Sequence, residues 1–225
     1  MTTPAAILRT ENLTMRFGGL TAVSNFTIDV PQGKIVGLIG PNGAGKTTVF
    51  NMVTGFYRPT EGRIFFDGQD ITGLQPHMVC RSGISRTFQN IRLFSNETVL
   101  ENVMIGCHVR RRSKWWMAPL GLPSFRAEEE SIRRKSMDLL KSVGLERFAE
   151  EPSASLSYGA QRRLEIARAL ATDPKFLLLD EPAAGMNPQE SQELMAFIRN
   201  IQKRFDLTIL LIEHDMKVVM VDCEY

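Results

Sequence analysis

Lys34-Ile35-Val36-Gly37-Leu38-Ile39-Gly40-Pro41-Asn42-Gly43-Ala44-Gly45-Lys46-Thr47-Thr48 joins a short apolar, β-branched run to a glycine-rich turn, and the turn opens onto a plausible helix, Lys46 to Thr54. Strand, loop and helix in that order around Gly40-x-x-x-x-Gly45-Lys46-Thr47 form the setting in which such a loop cradles a polyphosphate. Glycines let the backbone wrap closely, and exposed N–H groups and the positive helix end point inward. The expected cradle is Asn42, Gly43, Ala44, Gly45, Lys46, Thr47 and Thr48, with Lys46 adding a full charge and Thr47 offering its hydroxyl to Mg²⁺. The loop alone points to a nucleotide and leaves the reaction open.

Outward from this segment, short apolar runs recur at Phe26 to Val30, Arg63 to Phe66, Phe176 to Leu179 and Thr208 to Ile212, with helix-like stretches between them. That alternation predicts an α/β fold. Leu177-Leu178-Leu179 and Ile209-Leu210-Leu211-Ile212 are continuous rather than alternating, as in strands covered on both faces of a mainly parallel sheet, and are expected at its centre. Asn187 and Pro188 start a helix whose Leu194, Phe197, Ile198 and Ile201 share one face and should pack on the sheet. From about Asn90 to Ser155 the character changes to helical periodicity, with the basic run Arg110-Arg111-Arg112 and a Pro/Gly-rich break from Pro119 to Pro123. This stretch reads as a helical lobe.

At 225 residues and 43% hydrophobic, the chain can bury a sizeable core as one large domain or as a core domain carrying an inserted lobe. Its 27 basic and 25 acidic residues nearly balance, so the overall field draws it to neither nucleic acid nor an anionic membrane. Cys80, Cys107 and Cys223 form no Cys-x-x-Cys pair, which suits a reducing compartment and argues against a disulfide framework or a cysteine metal site. Met1 to Glu11 lacks the basic start and apolar stretch of a signal peptide, and no charge-free run approaches the ~20 apolar residues of a spanning helix. The expected location is therefore cytoplasmic.

Phe176 to Leu179 runs straight into Asp180-Glu181, which places two carboxylates at the carboxyl end of a buried strand, where ligands bind in open α/β sheets. Asp180 suits holding Mg²⁺, usually through water, and Glu181 can orient or deprotonate an attacking water. A charged turn before Pro182 is the plainer alternative. His214 repeats the arrangement after the strand Thr208 to Ile212 and can reach a γ-phosphate from the far side, although a helix-capping or merely polar histidine fits the spacing as well. A second helix start, Leu156-Ser157-Tyr158-Gly159-Ala160-Gln161, has Ser155 or Ser157 as its cap and no lysine nearby. It suits either an ordinary capped helix or a lid over a nucleotide held elsewhere.

Taken together these residues resemble the ATP-binding-cassette ATPases over nearly the whole chain. The resemblance implies a P-loop NTPase core with a mainly parallel sheet, an N-terminal antiparallel β subdomain, and a helical subdomain inserted at about 90–160. It implies that Phe17 stacks on adenine, that Lys46 meets the γ-phosphate, and that Gln89 contacts Mg²⁺ and relays the nucleotide state. Ser157 and Gly159 are then the phosphate-facing pair of the family signature, Asp180 the magnesium aspartate, Glu181 the catalytic glutamate and His214 the switch histidine. On the residues alone, Phe17 can equally be a core residue of an edge strand, and Gln89 a strand-end polar group. Met15-Arg16-Phe17-Gly18-Gly19-Leu20, Arg86 to Phe94, Arg162 to Arg168 and Glu213-His214-Asp215-Met216-Lys217 look like the ATP-binding subunits of bacterial branched-chain amino-acid importers.

Three departures stand out: Tyr158 and Ala160 within the signature, Ala183-Ala184-Gly185-Met186-Asn187 after the catalytic glutamate, and an end at Tyr225, shorter than relatives of this type. The resemblance implies ATP and Mg²⁺ as cofactors and a second ATP-binding subunit, identical or paralogous, docked head to tail so that each site is composite. It further implies transmembrane permease subunits, an extracytoplasmic solute-binding protein reached through them, a place on the cytoplasmic face of the inner membrane, and no nucleic-acid partner. Arg110 to Lys114 beside Trp115 and Trp116 are expected to help seat the lobe at the membrane, or else to form a solvated loop. Other readings are the ATPase of a lipopolysaccharide-type exporter, a soluble cassette acting on DNA or ribosomes, and a regulatory module that holds ATP without turnover.

Overall fold

The computed structural model describes residues 6–110 and 123–213. The chain falls into two compact units, Met1–Gln89 with Lys175–Tyr225, and Asn90–Pro174. His214, Arg111 to Pro119, Trp115, Trp116 and Cys223 lie outside the described residues.

The first unit contains two four-stranded sheets. Strands β1 (Ala6–Phe17), β2 (Leu20–Pro31), β4 (Glu61–Phe66) and β5 (Gln69–Asp70) form an antiparallel sheet in the order β2-β1-β4-β5. Strands β3 (Ile35–Ile39), β6 (Ile84–Arg86), β7 (Phe176–Asp180) and β8 (Thr208–Glu213) form a parallel sheet in the order β3-β8-β7-β6. The continuous apolar runs occupy its two central strands, and every residue of β7 and β8 is buried. Strands with both faces covered need no polar alternation.

Helix α1 (Lys46–Val53) follows β3 and buries Val49, Phe50, Met52 and Val53 among side chains from both sheets, including Leu8, Leu13, Ile64, Phe66, Phe176 and Leu210. Helix α2 (Pro76–Ser82) leads into β6. Helix α6 (Pro188–Phe205) begins as its sequence predicts: Asn187 accepts from the Glu190 amide, Glu190 accepts from the Asn187 amide, and Pro188 fills the first turn. Leu194, Met195, Ile198 and Ile201 are buried along it, while Phe197 is only half-buried.

The second unit packs α3 (Val99–Cys107), α4 (Pro123–Val143) and α5 (Tyr158–Leu170). A capping box starts α3: the Thr98 hydroxyl accepts from the Glu101 amide, and the Glu101 carboxylate accepts from the Thr98 amide. The Thr98 amide foremost, and then the Thr98 hydroxyl donating to the same carboxylate at 2.8 Å, hold the Glu101 carboxyl below its usual range. Fully buried Asn102 ties the preceding loop to α3, donating to the Phe94 and Thr98 carbonyls and accepting from the Phe94 amide. On α5, Leu164, Ala167, Leu170 and the following Ala171 are buried as their spacing predicts.

The crossing of α3 and α5 depends on Gly106. A methyl group there would lie 2.4 Å from the Arg168 carbonyl oxygen and 2.9 Å from the Ala171 Cβ, and backbone does not yield as a side chain does. We predict that Gly106→Ala forces the helices apart and lowers stability by about 1–3 kcal/mol, the usual cost of overpacking a core. Thermal unfolding of the two proteins, compared directly, checks this.

Candidate functional site

Parallel register brings the ends of the central strands together. Ile39 pairs with Glu213, and Ile212 pairs with Asp180, so the loop leaving β3 and the carboxylates leaving β7 flank the end of β8. With neighbouring strands about 4.8 Å apart, these two exits lie roughly 10 Å from each other. β6 pairs with β7 through Arg86 and Leu178, and the Thr87 amide donates to the Leu178 carbonyl at 3.0 Å, which carries Phe88 and Gln89 past the end of the sheet.

The loop after β3 closes on itself through the Ala44 amide, which donates to the Pro41 carbonyl at 3.2 Å. Gly45 precedes α1 with φ of 84°, and a Cβ there would lie 2.6 Å from the Ala22 carbonyl oxygen. Only glycine combines that backbone conformation with that close approach to β2. No side chain caps α1, so its first amides face the loop. Lys46 is buried, and its Nζ donates to the Gly40 carbonyl at 2.6 Å and the Pro41 carbonyl at 2.9 Å.

These residues line a cleft of about 300 Å³ whose wall comprises Leu20, Thr21, Ala22, Asn42 to Thr48, and Glu181. The sequence-predicted cradle and Glu181 thus meet in one place. Glu181 adopts a left-handed backbone, φ 46°, fixed on both sides: its amide donates to the Ile212 carbonyl at 3.0 Å, and its carbonyl accepts from the Ala184 amide at 3.1 Å. A non-glycine residue in this region is uncommon and turns its side chain away from the strand direction. Gln89 Nε2 donates to Glu181 Oε2 at 2.7 Å.

Asp180 lies beside this cleft but is not part of its wall. It is the last residue of β7, buried, and its Oδ2 accepts from Arg86 Nη2 at 2.6 Å. In the sequence Arg86 stands out only as the first residue of the Arg86 to Phe94 stretch that resembles the importer subunits. At the end of the three-residue β6, it carries no sequence signal of a link to Asp180 across 94 residues. Glu213, also buried, was read only as the residue before His214; its Oε1 accepts from the Ala183 amide at 3.1 Å and ties the turn after Glu181 to the end of β8.

Two alternatives left open by the sequence are corrected. Phe17 ends β1, an inner strand, and is 42% exposed, its ring set edge-on to Tyr57 with centroids 5.4 Å apart, so it is no core residue of an edge strand. Gln89 lies three residues beyond the last residue of β6 rather than at a strand end. Phe17 does not line the cleft.

In the second unit, Ser157 holds the N-cap position of α5, but its side chain makes no capping hydrogen bond, and Ser155 lies in a preceding short 3-10 turn. The expected serine cap is therefore absent, and the first turn closes through the Gln161 amide donating to the Ser157 carbonyl at 2.9 Å. Ser157, Tyr158 and Gly159 are exposed, and a Cβ at Gly159 would meet nothing within 4 Å. Behind them, Arg162 and Glu165 form a buried pair at 2.7 Å.

Residues 23–184 match the ABC transporter family. The chain is 48% identical to the high-affinity branched-chain amino acid transport ATP-binding protein BraF of Pseudomonas aeruginosa, across 95% of this chain and 84% of the relative. It is 47% identical to the LivG protein of the same description from Escherichia coli, with the same coverage. A crystal structure of an ATP-binding cassette of an ABC transporter in its ADP conformation superimposes with a TM-score of 0.83 at 34% identity, covering 96% of this chain and 84% of that one. With the family match spanning most of the sequence and relatives this close over nearly all of it, the chain belongs to the ABC transporter family, among its ATP-binding cassettes.

Proposed function

We propose that this chain is an ATP-hydrolysing subunit that powers a membrane importer of branched-chain amino acids. The observation that carries the enzymatic part is the shared cleft, in which a polyphosphate cradle and a backbone-fixed glutamate oriented by Gln89 face one another. The import function follows from the names of relatives that are 46–48% identical over 95% of the chain. Among the described residues no helix is long and apolar enough to cross a membrane, so the transport path belongs to permease partners.

In this reading the loop amides and the N-terminus of α1 bind the β- and γ-phosphates, and phosphate oxygens replace the carbonyls of Gly40 and Pro41 as acceptors for Lys46. Phe17, exposed at the end of β1, stacks on the adenine outside the cleft. Glu181 orients a water and takes its proton as the water oxygen attacks the γ-phosphorus; the bond to the bridging oxygen breaks and ADP leaves. Gln89 holds the carboxylate and senses the same phosphate. His214, next in sequence after β8 and outside the described residues, helps to stabilise the charge of the transition state.

Thr47 and Asp180 are hard oxygen donors, and no group of three or more His, Cys, Asp or Glu gathers among the described residues. That fits Mg²⁺, which takes one or two protein ligands and completes its shell with phosphates and water. Bound there, it supplies charge neutralisation for the phosphates.

Ser157 and Gly159 complete the site of a second subunit. Among the described residues a Cβ at Gly159 would meet nothing within 4 Å, so the start of α5 is open to an approaching group. A partner's γ-phosphate against the start of α5 is such a group.

Glu181→Gln should retain ATP binding and lower hydrolysis at least about 100-fold, the lower range for loss of a general base. An unchanged rate in single-turnover assays refutes the assignment of Glu181. Gly45→Ala, with a strained backbone and a close contact costing about 1–3 kcal/mol, should weaken ADP binding roughly ten- to a hundredfold by calorimetry. For the transported solute, the complex isolated from gently solubilised membranes should contain permease subunits, and its solute-binding protein should retain leucine, isoleucine or valine. Retention of a lipid or a sugar instead would overturn the import assignment.

A further inference from the structure

Asp180 already has a cation partner. Its side chain is 4% exposed and that of Arg86 is 6% exposed, with Nη2 to Oδ2 at 2.6 Å. The guanidinium is anchored from α1 as well: Nη1 donates to Asn51 Oδ1 at 2.6 Å and to Thr54 Oγ1 at 3.4 Å. Aromatic rings bracket it, Phe50 at 5.5 Å and Phe88 at 5.1 Å. Its Nε is buried with no partner. An exposed arginine could swing away when another cation arrives, but this one has no such freedom. Burial of a charged pair is also no efficient source of stability, since well-packed apolar side chains of similar volume serve as well.

Three residues along, Gln89 donates to Glu181. One short segment, Arg86 to Gln89, therefore addresses both consecutive carboxylates, the first with a fixed charge and the second with a neutral amide.

We propose that Arg86 is a positioning residue, a resident counter-ion that lets Asp180 engage a divalent cation only together with nucleotide phosphates. The inference rests on the assignment of Asp180 to Mg²⁺ made above. A bare divalent ion approaching Asp180 meets a full positive charge held on the same carboxylate, and in a buried setting that repulsion is weakly screened. It would surrender hydration for a share of one carboxylate, which Mg²⁺ does reluctantly. Polyphosphate brings several negative charges and ligand oxygens at once, and these outweigh the arginine. Cation and nucleotide then enter and leave as a unit, and Asp180 is not occupied by free Mg²⁺ between turnovers.

Mn²⁺ alone, titrated into the full chain without nucleotide and followed by electron paramagnetic resonance, tests this. Arg86→Gln should bind Mn²⁺ at least about tenfold more tightly than the unaltered chain, because the opposing charge is gone. Arg86→Lys keeps the charge and should stay near the unaltered affinity. Asn51→Asp offers the guanidinium a second carboxylate while leaving it in place; it should also tighten Mn²⁺ binding, and it serves if Arg86→Gln fails to fold. Adding Asp180→Asn to either tightened variant should remove the gain. Folded variants that bind Mn²⁺ no better than the unaltered chain would overturn the counter-ion role, as would equal tightening in Arg86→Lys. Failure of the underlying assignment has its own signature: Asp180→Asn alone would leave Mg²⁺-dependent ATP binding unchanged.

Discussion

Parallel pairing of β7 and β8, two strands buried at every position, is the constraint on which the remainder of the site depends. With no residue of either strand facing solvent, a slip in register would exchange buried contacts for mismatched ones across the whole sheet centre. The register sets Asp180 beside Ile212 and, one strand further, Glu213 beside Ile39, so loop, carboxylates and Glu213 emerge at one edge. Chemistry collects there because strand ends release the chain from hydrogen bonding, and the turns that follow can aim side chains across neighbouring strands.

Charge at that edge is arranged in layers of decreasing burial. Asp180 and Arg86 neutralise one another beneath the surface. Lys46 rests on two carbonyls at the mouth of the loop, which among the described residues meet its charge with dipoles and leave it able to answer a phosphate. Glu181 and Gln89 stand outermost, joined by a hydrogen bond between a carboxylate and a neutral amide. A buried carboxylate paired with arginine and an outer shell ready for exchange suit a site that binds a highly charged nucleotide.

The helical unit follows a different logic. Helices α3 and α5 approach closely at Gly106, Asn102 ties the preceding loop to the start of α3, and Arg162–Glu165 is a buried pair within α5. The exposed start of α5 is left without a side-chain cap, its amides turned outward beside a glycine with open space around it. Within a family whose cassettes serve membrane transporters, these are the features of a surface shaped by what approaches it.

Much of this was legible along the chain because it is local. The glycine spacing of the loop, the uninterrupted apolar runs of β7 and β8, and the Asn187-Pro188 helix start each express a physical requirement within a few residues, and each appears where its spacing places it. Strand β1 and the short β6 are not marked by an apolar run and enter the sequence reading only through the alternatives for Phe17 and Gln89 and the β subdomain that the resemblance implies, because their pairing energy comes from distant partners rather than from a periodic pattern of their own. The serine cap expected for α5 failed for the converse reason, since a favourable local residue does not oblige its side chain to turn inward. By itself the sequence determined which residues could bind phosphate and which could act as base, since those are properties of side-chain type and short spacing. Only the tertiary structure decided that Arg86 answers Asp180 across 94 positions, that Glu213 holds the turn after Glu181, and that Phe17 stands exposed beside Tyr57. Such contacts depend on strand order and register, which arise from burial of the whole core and are written in no single stretch of it.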